Sequence, residues 1–196
     1  MKKYSYLIII FLFFFNTIAK ADDIKDFEIE GMSIGDSLLQ YKSLNEIKLG
    51  TDEKIYSYKK DKKFVQANFD TKLTSDTYEV VLIEYKKNDK NYTIYGLTGK
   101  IISSYKNDMK GCYKKQDKVF DELAKLFINQ KIISKGRTVS HQADKSGKSK
   151  VRLSSLKFSQ GDYVLVACYD WHKDMPYESN FKINLFSEEL NNWLIN

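Results

Sequence analysis

Residues 161–171 read Gly-Asp-Tyr-Val-Leu-Val-Ala-Cys-Tyr-Asp-Trp, and the alternation from Tyr163 onward decides the fold. Successive side chains of a strand point to opposite faces. Val164, Val166 and Cys168 therefore share one side, and Tyr163, Leu165, Ala167, Tyr169 and Trp171 share the other. The first side is wholly apolar and needs a covering helix. Such a helix is legible over residues 109–128: Cys112, Val119, Phe120, Leu123 and Phe127 fall near one face, while Lys114, Lys115, Asp117, Lys118, Asp121 and Glu122 cover much of the rest. Packed on the strand, it would bring together the chain's two cysteines, Cys112 and Cys168. A disulfide between them is expected, and by loop entropy it would stabilise the fold by up to about 4 kcal/mol. The competing use, a reactive thiol with His141 or His172 as base, needs an electropositive, partly exposed cysteine, which neither apolar-face position offers.

Outward from this strand, the Ser159–Asp162 turn joins it to an apolar run at 151–158, making a hairpin, and residues 180–186 read as a further strand. Ser187, Glu188 and Glu189 cap a terminal helix that would dock Leu190, Trp193 and Leu194. Upstream, residues 64–69 and 78–86 read as strands. A polar turn at 87–90 leads to 92–97, and Thr98-Gly99 turns the chain into 101–105, completing an antiparallel meander. Residues 31–43 (GMSIGDSLLQYKS) read as a turn into a short helix with Asp36 or Ser33 as N-cap and Leu38, Leu39 and Tyr41 buried. The stretch from 131 to 150 reads as a long polar connection, and the sequence shows no internal repeat. Strands gathered in blocks with helices between them indicate an α+β fold: an antiparallel sheet, meander plus hairpin, on one main helix, with short N- and C-terminal helices.

The 196 residues suffice for one domain, 42% of them hydrophobic, and two cysteines exclude a disulfide-dense miniprotein. Lys2 and Lys3, an apolar run from Leu7 to Phe15 and the small-residue pattern Ala19-Lys20-Ala21 have the form of a cleavable signal peptide, too short in its apolar part to span a bilayer. The expected organisation is a signal peptide at 1–21 and a single α+β domain at 22–196. Cleavage after Ala21 sends the protein to the periplasm or the exterior, where thiols are oxidised. An uncleaved N-terminal helix anchoring a periplasmic protein is the alternative. With no cysteine after the apolar run, a lipid anchor is excluded.

The formal charge of +6 falls to +3 once Lys2, Lys3 and Lys20 leave with the signal. Residues 131–152 alone carry Lys131, Lys135, Arg137, Lys145, Lys148, Lys150 and Arg152 against Asp144, so a basic segment sits on a mildly acidic body. Such a segment suits an anionic ligand or surface, with Ser146, Gly147 and Ser149 exposing backbone N–H groups beside the lysines; as an ordinary solvated loop it would bind nothing. The second candidate is the aromatic side of the 163–171 strand, continued by His172 and Tyr177: Tyr169 and Trp171 offer apolar bodies with polar tips. A packed core face is the plainer reading of the same residues. Candidate ligand-binding residues are thus Lys145, Lys148, Lys150, Arg152, Tyr169, Trp171 and His172. Nucleic acid is not expected, because no aromatics interleave with the basic run.

Motifs for chemistry are incomplete. Gly35-Asp36-Ser37-Leu38 spells the signature of GDSL hydrolases, but Asp170-Trp171-His172 lacks the Asp-x-x-His spacing and no Gly-x-Asn-Asp block occurs. A small serine hydrolase using Ser37 with His141 or His172 is therefore the alternative to a non-enzymatic binding or interaction module. Ser146-Gly147-Lys148-Ser149 lacks the first glycine and the preceding strand of a phosphate loop. His141 and His172, even with Asp144 and Asp170, lack the short ligand spacing of a zinc site, so no metal and no cofactor is expected.

DFEIEGMSIGDSLLQY at 26–41, HQADKSGKS at 141–149 and GDYVLVACYDW together resemble a group of uncharacterised exported proteins of low-GC marine alphaproteobacteria of the SAR11 type. The resemblance covers most of the chain after the signal. It implies a small exported protein with two cysteines and no assigned activity, ligand or catalytic residue. Independently of the resemblance, an envelope protein is an alternative partner to an anionic ligand or surface. N-terminal sequencing of the exported protein is expected to begin at Asp22; a chain that still begins at Met1 would mark the anchored form.

Overall fold

A computed structural model describes residues 23–196, so the signal sequence and its cleavage site lie outside the described residues. In chain order the elements are α1 (Leu44–Gly50), β1 (Thr51–Asp52), β2 (Phe64–Asp70), β3 (Val80–Lys86), β4 (Gly96–Ile101), α2 (Met109–Leu126), β5 (Lys131–Ser140), β6 (Lys150–Lys157), β7 (Tyr163–Asp170), β8 (Asn180–Phe186) and α3 (Glu188–Ile195). The strands form one eight-stranded antiparallel sheet in the order β1-β2-β3-β4-β8-β7-β6-β5. The fold is α+β, with α2 as its main helix.

The order repeats itself: a helix followed by a four-stranded meander occurs twice, and the last strand of each meander, β4 or β8, meets the other at the centre. The sequence betrays nothing of this, because α1 is far shorter than α2 and β1 holds two residues.

Register fixes two faces. On the helix-covered face Val65, Val81, Ile83, Leu97, Val164, Val166, Cys168, Ile183 and Leu185 join Ile24, Ile29, Leu38, Ile47 and Phe120 in one core. Cys112, at the start of α2, is bonded to Cys168 of β7 with Cα atoms 6.1 Å apart. One turn further, the buried Gln116 amide donates to the carbonyls of Arg152 and Val166, both at 2.8 Å. Its oxygen accepts from the Arg152 guanidinium at 2.7 Å, so the polar group that α2 carries into the core is satisfied. Among the described residues the opposite face is covered only at one corner. There Leu190 of α3 is buried, Trp193 packs on Tyr56 and Phe64 with ring centroids 5.1 and 5.2 Å apart, and the Lys59 ammonium donates to the carbonyls of Trp193 and Leu194.

Three readings of the sequence are corrected. Thr98-Gly99 is no turn but the middle of β4: the Tyr78 ring lies over Gly99 on the core side, so the glycine makes room for an aromatic within a strand. The connection at 131–150 is largely β5, an edge strand whose side chains are mostly exposed and show no clean alternation, so backbone pairing with β6 defines it rather than pattern. Gly136, at positive φ in its bulge, leaves space for the Arg152 side chain beneath. Within residues 31–43 only Leu38–Gln40 forms a 3-10 turn, with Leu39 and Tyr41 exposed and Ser37 at its cap without a side-chain cap bond. Asp36 instead accepts from the Ser33 amide and the Tyr41 hydroxyl. The nearby α-helix is α1, opened by a Ser43–Glu46 capping box that the sequence does spell.

Gly99→Ala would set a Cβ about 2.5 Å from the Tyr78 ring. The expected cost is about 1–3 kcal/mol of overpacking, read by urea denaturation. Tyr78→Leu in the same chain should recover part of it, and an unchanged midpoint for Gly99→Ala alone would contradict this packing.

Candidate functional site

The uncovered face of the sheet gathers rings at the β5–β6–β7 corner. His141 follows β5, Tyr169 and Trp171 lie at the end of β7, and Tyr177 comes from the β7–β8 connection. Ring centroids stand 4.2 Å apart for His141–Trp171, 4.6 Å for Trp171–Tyr177 and 6.2 Å for the nearly parallel Tyr169–Trp171. The Lys182 ammonium of β8 lies 4.7 Å from the Tyr169 centroid, within cation–π range. Beside the rings a shallow cleft of about 410 Å³ opens between Trp171, His172, Tyr177 and Lys106.

Local hydrogen bonds hold this corner. The Asp144 carboxylate accepts from the amides and hydroxyls of Ser146 and Ser149, and these bonds, chiefly the hydroxyl of Ser146, hold its carboxyl well below the usual range. Ser149 Oγ in turn accepts from the His172 amide at 3.0 Å, tying the 141–149 loop to the end of β7. Trp171 N donates to Ser179 Oγ at 2.9 Å, which sets the strand's exit.

The predicted ligand-binding residues divide into two groups. Lys145 and Lys148 are exposed on the 141–149 loop, whose His141 ring packs against Tyr169 and Trp171 and whose Ser149 holds the His172 amide. Lys150 braces that loop, donating to Ser140 Oγ at 2.9 Å and the Gly147 carbonyl at 2.8 Å. Arg152 lies on the helix-covered side, against Gln116, with Asp117 at 2.8 Å and the Tyr113 ring. The His172 ring sits 3.2 Å from Asp174.

Ser37, the candidate nucleophile, donates to the Asn91 carbonyl at 2.6 Å, and neither histidine is among its partners. Among the described residues no three His, Cys, Asp or Glu side chains gather as a metal site requires, and no helix is long and apolar enough to cross a membrane. A second cleft, of about 750 Å³, lies between Tyr58, Lys60 and Trp193, but its Lys63 pairs with Glu189 and its Lys59 caps α3.

Sequence reasoning missed Lys100 and Lys182. Each is a single lysine in a strand, and their pairing depends on the β4–β8 register, a contact between distant parts of the chain. Burial, with Lys100 adding, lowers the Lys182 ammonium to about 8, against an opposing pull from Glu84. Burial likewise lowers Lys100 and His141, the latter helped by Lys182, and pushes the Tyr169 hydroxyl up to about 12.

Comparisons with protein-family models, curated proteins and solved structures find no match to this chain.

The unfolded chain holds the Lys182 proton more tightly than the folded one does, so the charged lysine penalises the fold below about pH 8. That penalty fades as the pH rises from about 8 toward 10.5. After reductive methylation with a carbon-13 label, one dimethyl-lysine signal should titrate well below the rest and be missing from Lys182→Met. If all lysines titrate together, this environment is wrong.

Proposed function

We propose that the protein is a non-enzymatic binding module of the periplasm or exterior that takes an anionic ligand at the corner formed by His141, Tyr169, Trp171 and Tyr177. The observation that carries this reading is the convergence of these rings from separate segments beside a cleft, with exposed Lys145 and Lys148 on the adjoining loop. Tyr and Trp bury apolar area while keeping a polar tip in water. The neighbouring lysines add attraction for an acidic group without fixing its identity. The disulfide suits a compartment where thiols are oxidised, in keeping with the signal-like N-terminus.

The chain has two tryptophans, so Trp193→Phe leaves Trp171 as the sole tryptophan reporter. Titration with polygalacturonate, and separately with phosphatidylglycerol vesicles, is expected to shift that emission in at least one arm, and phosphatidylcholine vesicles should leave it unchanged. Exchanging both Lys145 and Lys148 for Ala should weaken binding by about tenfold, the equivalent of roughly 1.4 kcal/mol. Silence in both anionic arms, or binding indifferent to the lysines, would overturn the reading.

A further inference from the structure

The two central strands hold a like-charged pair that the fold does not need. Lys100 of β4 and Lys182 of β8 are direct cross-strand partners on the uncovered face, and both are partly buried. Side chains so placed start about 5 Å apart at Cβ, and like charges directly opposite each other destabilise a sheet. Neither lysine has an ion-pair partner among the described residues.

The carboxylates that attract the pair, Glu178 and Glu79 toward Lys100 and Glu84 toward Lys182, form no ion pair with it. Glu79 accepts from the Ile102 amide and from the amide and hydroxyl of Ser103. Glu178 pairs with Lys106 at 3.7 Å. Glu84, buried under α3, accepts from Gln66 at 2.6 Å and Tyr56 at 3.1 Å. The other titratable neighbours, His141 and Tyr169, bring no negative charge at neutral pH. Two desolvated lysines thus stand side by side with no ion-pair partner among the described residues, the Lys182 ammonium against the Tyr169 ring, and Leu82 and Leu165 on adjacent strands reduce the screening around them.

We propose that Lys100 and Lys182 form a binding site for a compact divalent oxyanion, the terminal phosphate group of a ligand lying across the uncovered face, for which inorganic phosphate and sulfate stand in. Two donors of one charge each match such a group in charge, and a single oxyanion can bridge a cross-strand pair. The site deepens the reading above and rests on it only for the ligand beyond this group.

The probes are inorganic phosphate and sulfate, added to the intact protein at constant ionic strength with chloride as control, and the readout is the thermal unfolding midpoint. Phosphate or sulfate should raise the midpoint by on the order of 3 °C near ten times the dissociation constant. Lys100→Met and Lys182→Met should each abolish that rise while melting no lower than the parent in chloride, since each removes a repulsion. Trp171→Ala, which leaves both lysines in place, should keep the rise even if it loses polygalacturonate or vesicle binding. This separates failure of the anion site from failure of the aromatic corner. The assignment is overturned by a midpoint that responds to phosphate and sulfate no more than to chloride, by a rise that survives in both Met variants, or by Met variants that melt well below the parent.

Discussion

The β4–β8 pairing is the constraint on which the rest of the structure depends. It joins two meanders, one under the short α1 and the other under α2, into one sheet with a continuous core. Six residue pairs set its register, from Gly96 opposite Phe186 to Ile101 opposite Phe181. A slip of one residue would send Leu97, Ile183 and Leu185 to the uncovered face. The register is pinned from the side chains as well: Thr98 Oγ1 donates to Asn184 Oδ1 at 3.0 Å, and the Asn184 amide donates to the Leu165 carbonyl at 3.0 Å. Three strands are thereby locked by a buried polar chain in which every member has a partner.

The parts of this fold that could be read in advance are those with a local cause. Alternation in β7 and the apolar face of α2 were enough to bring Cys112 to Cys168, because each pattern states its own buried side. The same reasoning missed β5, an exposed edge strand held by backbone bonds to β6, and it broke β4 at Gly99, where a distant ring fills the space a side chain would take. At the candidate site Tyr169, Trp171 and Tyr177 were legible as a run of aromatics. The place of His141 among them was not, since it follows from the hairpin that β5 makes. Arg152 read as one more cation of a basic run, yet its alternation on β6 turns it toward Gln116 and α2.

The uncovered face has two unlike ends. Under α3 lies Glu84, with one carboxylate oxygen lacking any partner and burial favouring its neutral form. Toward β7 lie lysines and rings with no covering element among the described residues. One end of the face is closed by the chain's own C-terminus, and the other is left to solvent, which concentrates the exposed chemistry on half of the sheet.

The two borders of the sheet limit how it can grow. β1 contributes only two residues, and β5 is bulged at Gly136 and carries Lys131, Lys135 and Arg137. Short, kinked or charged outer strands make poor templates for another chain's backbone. Such borders disfavour lateral polymerisation and leave the broad surfaces, which present side chains rather than main-chain bonds.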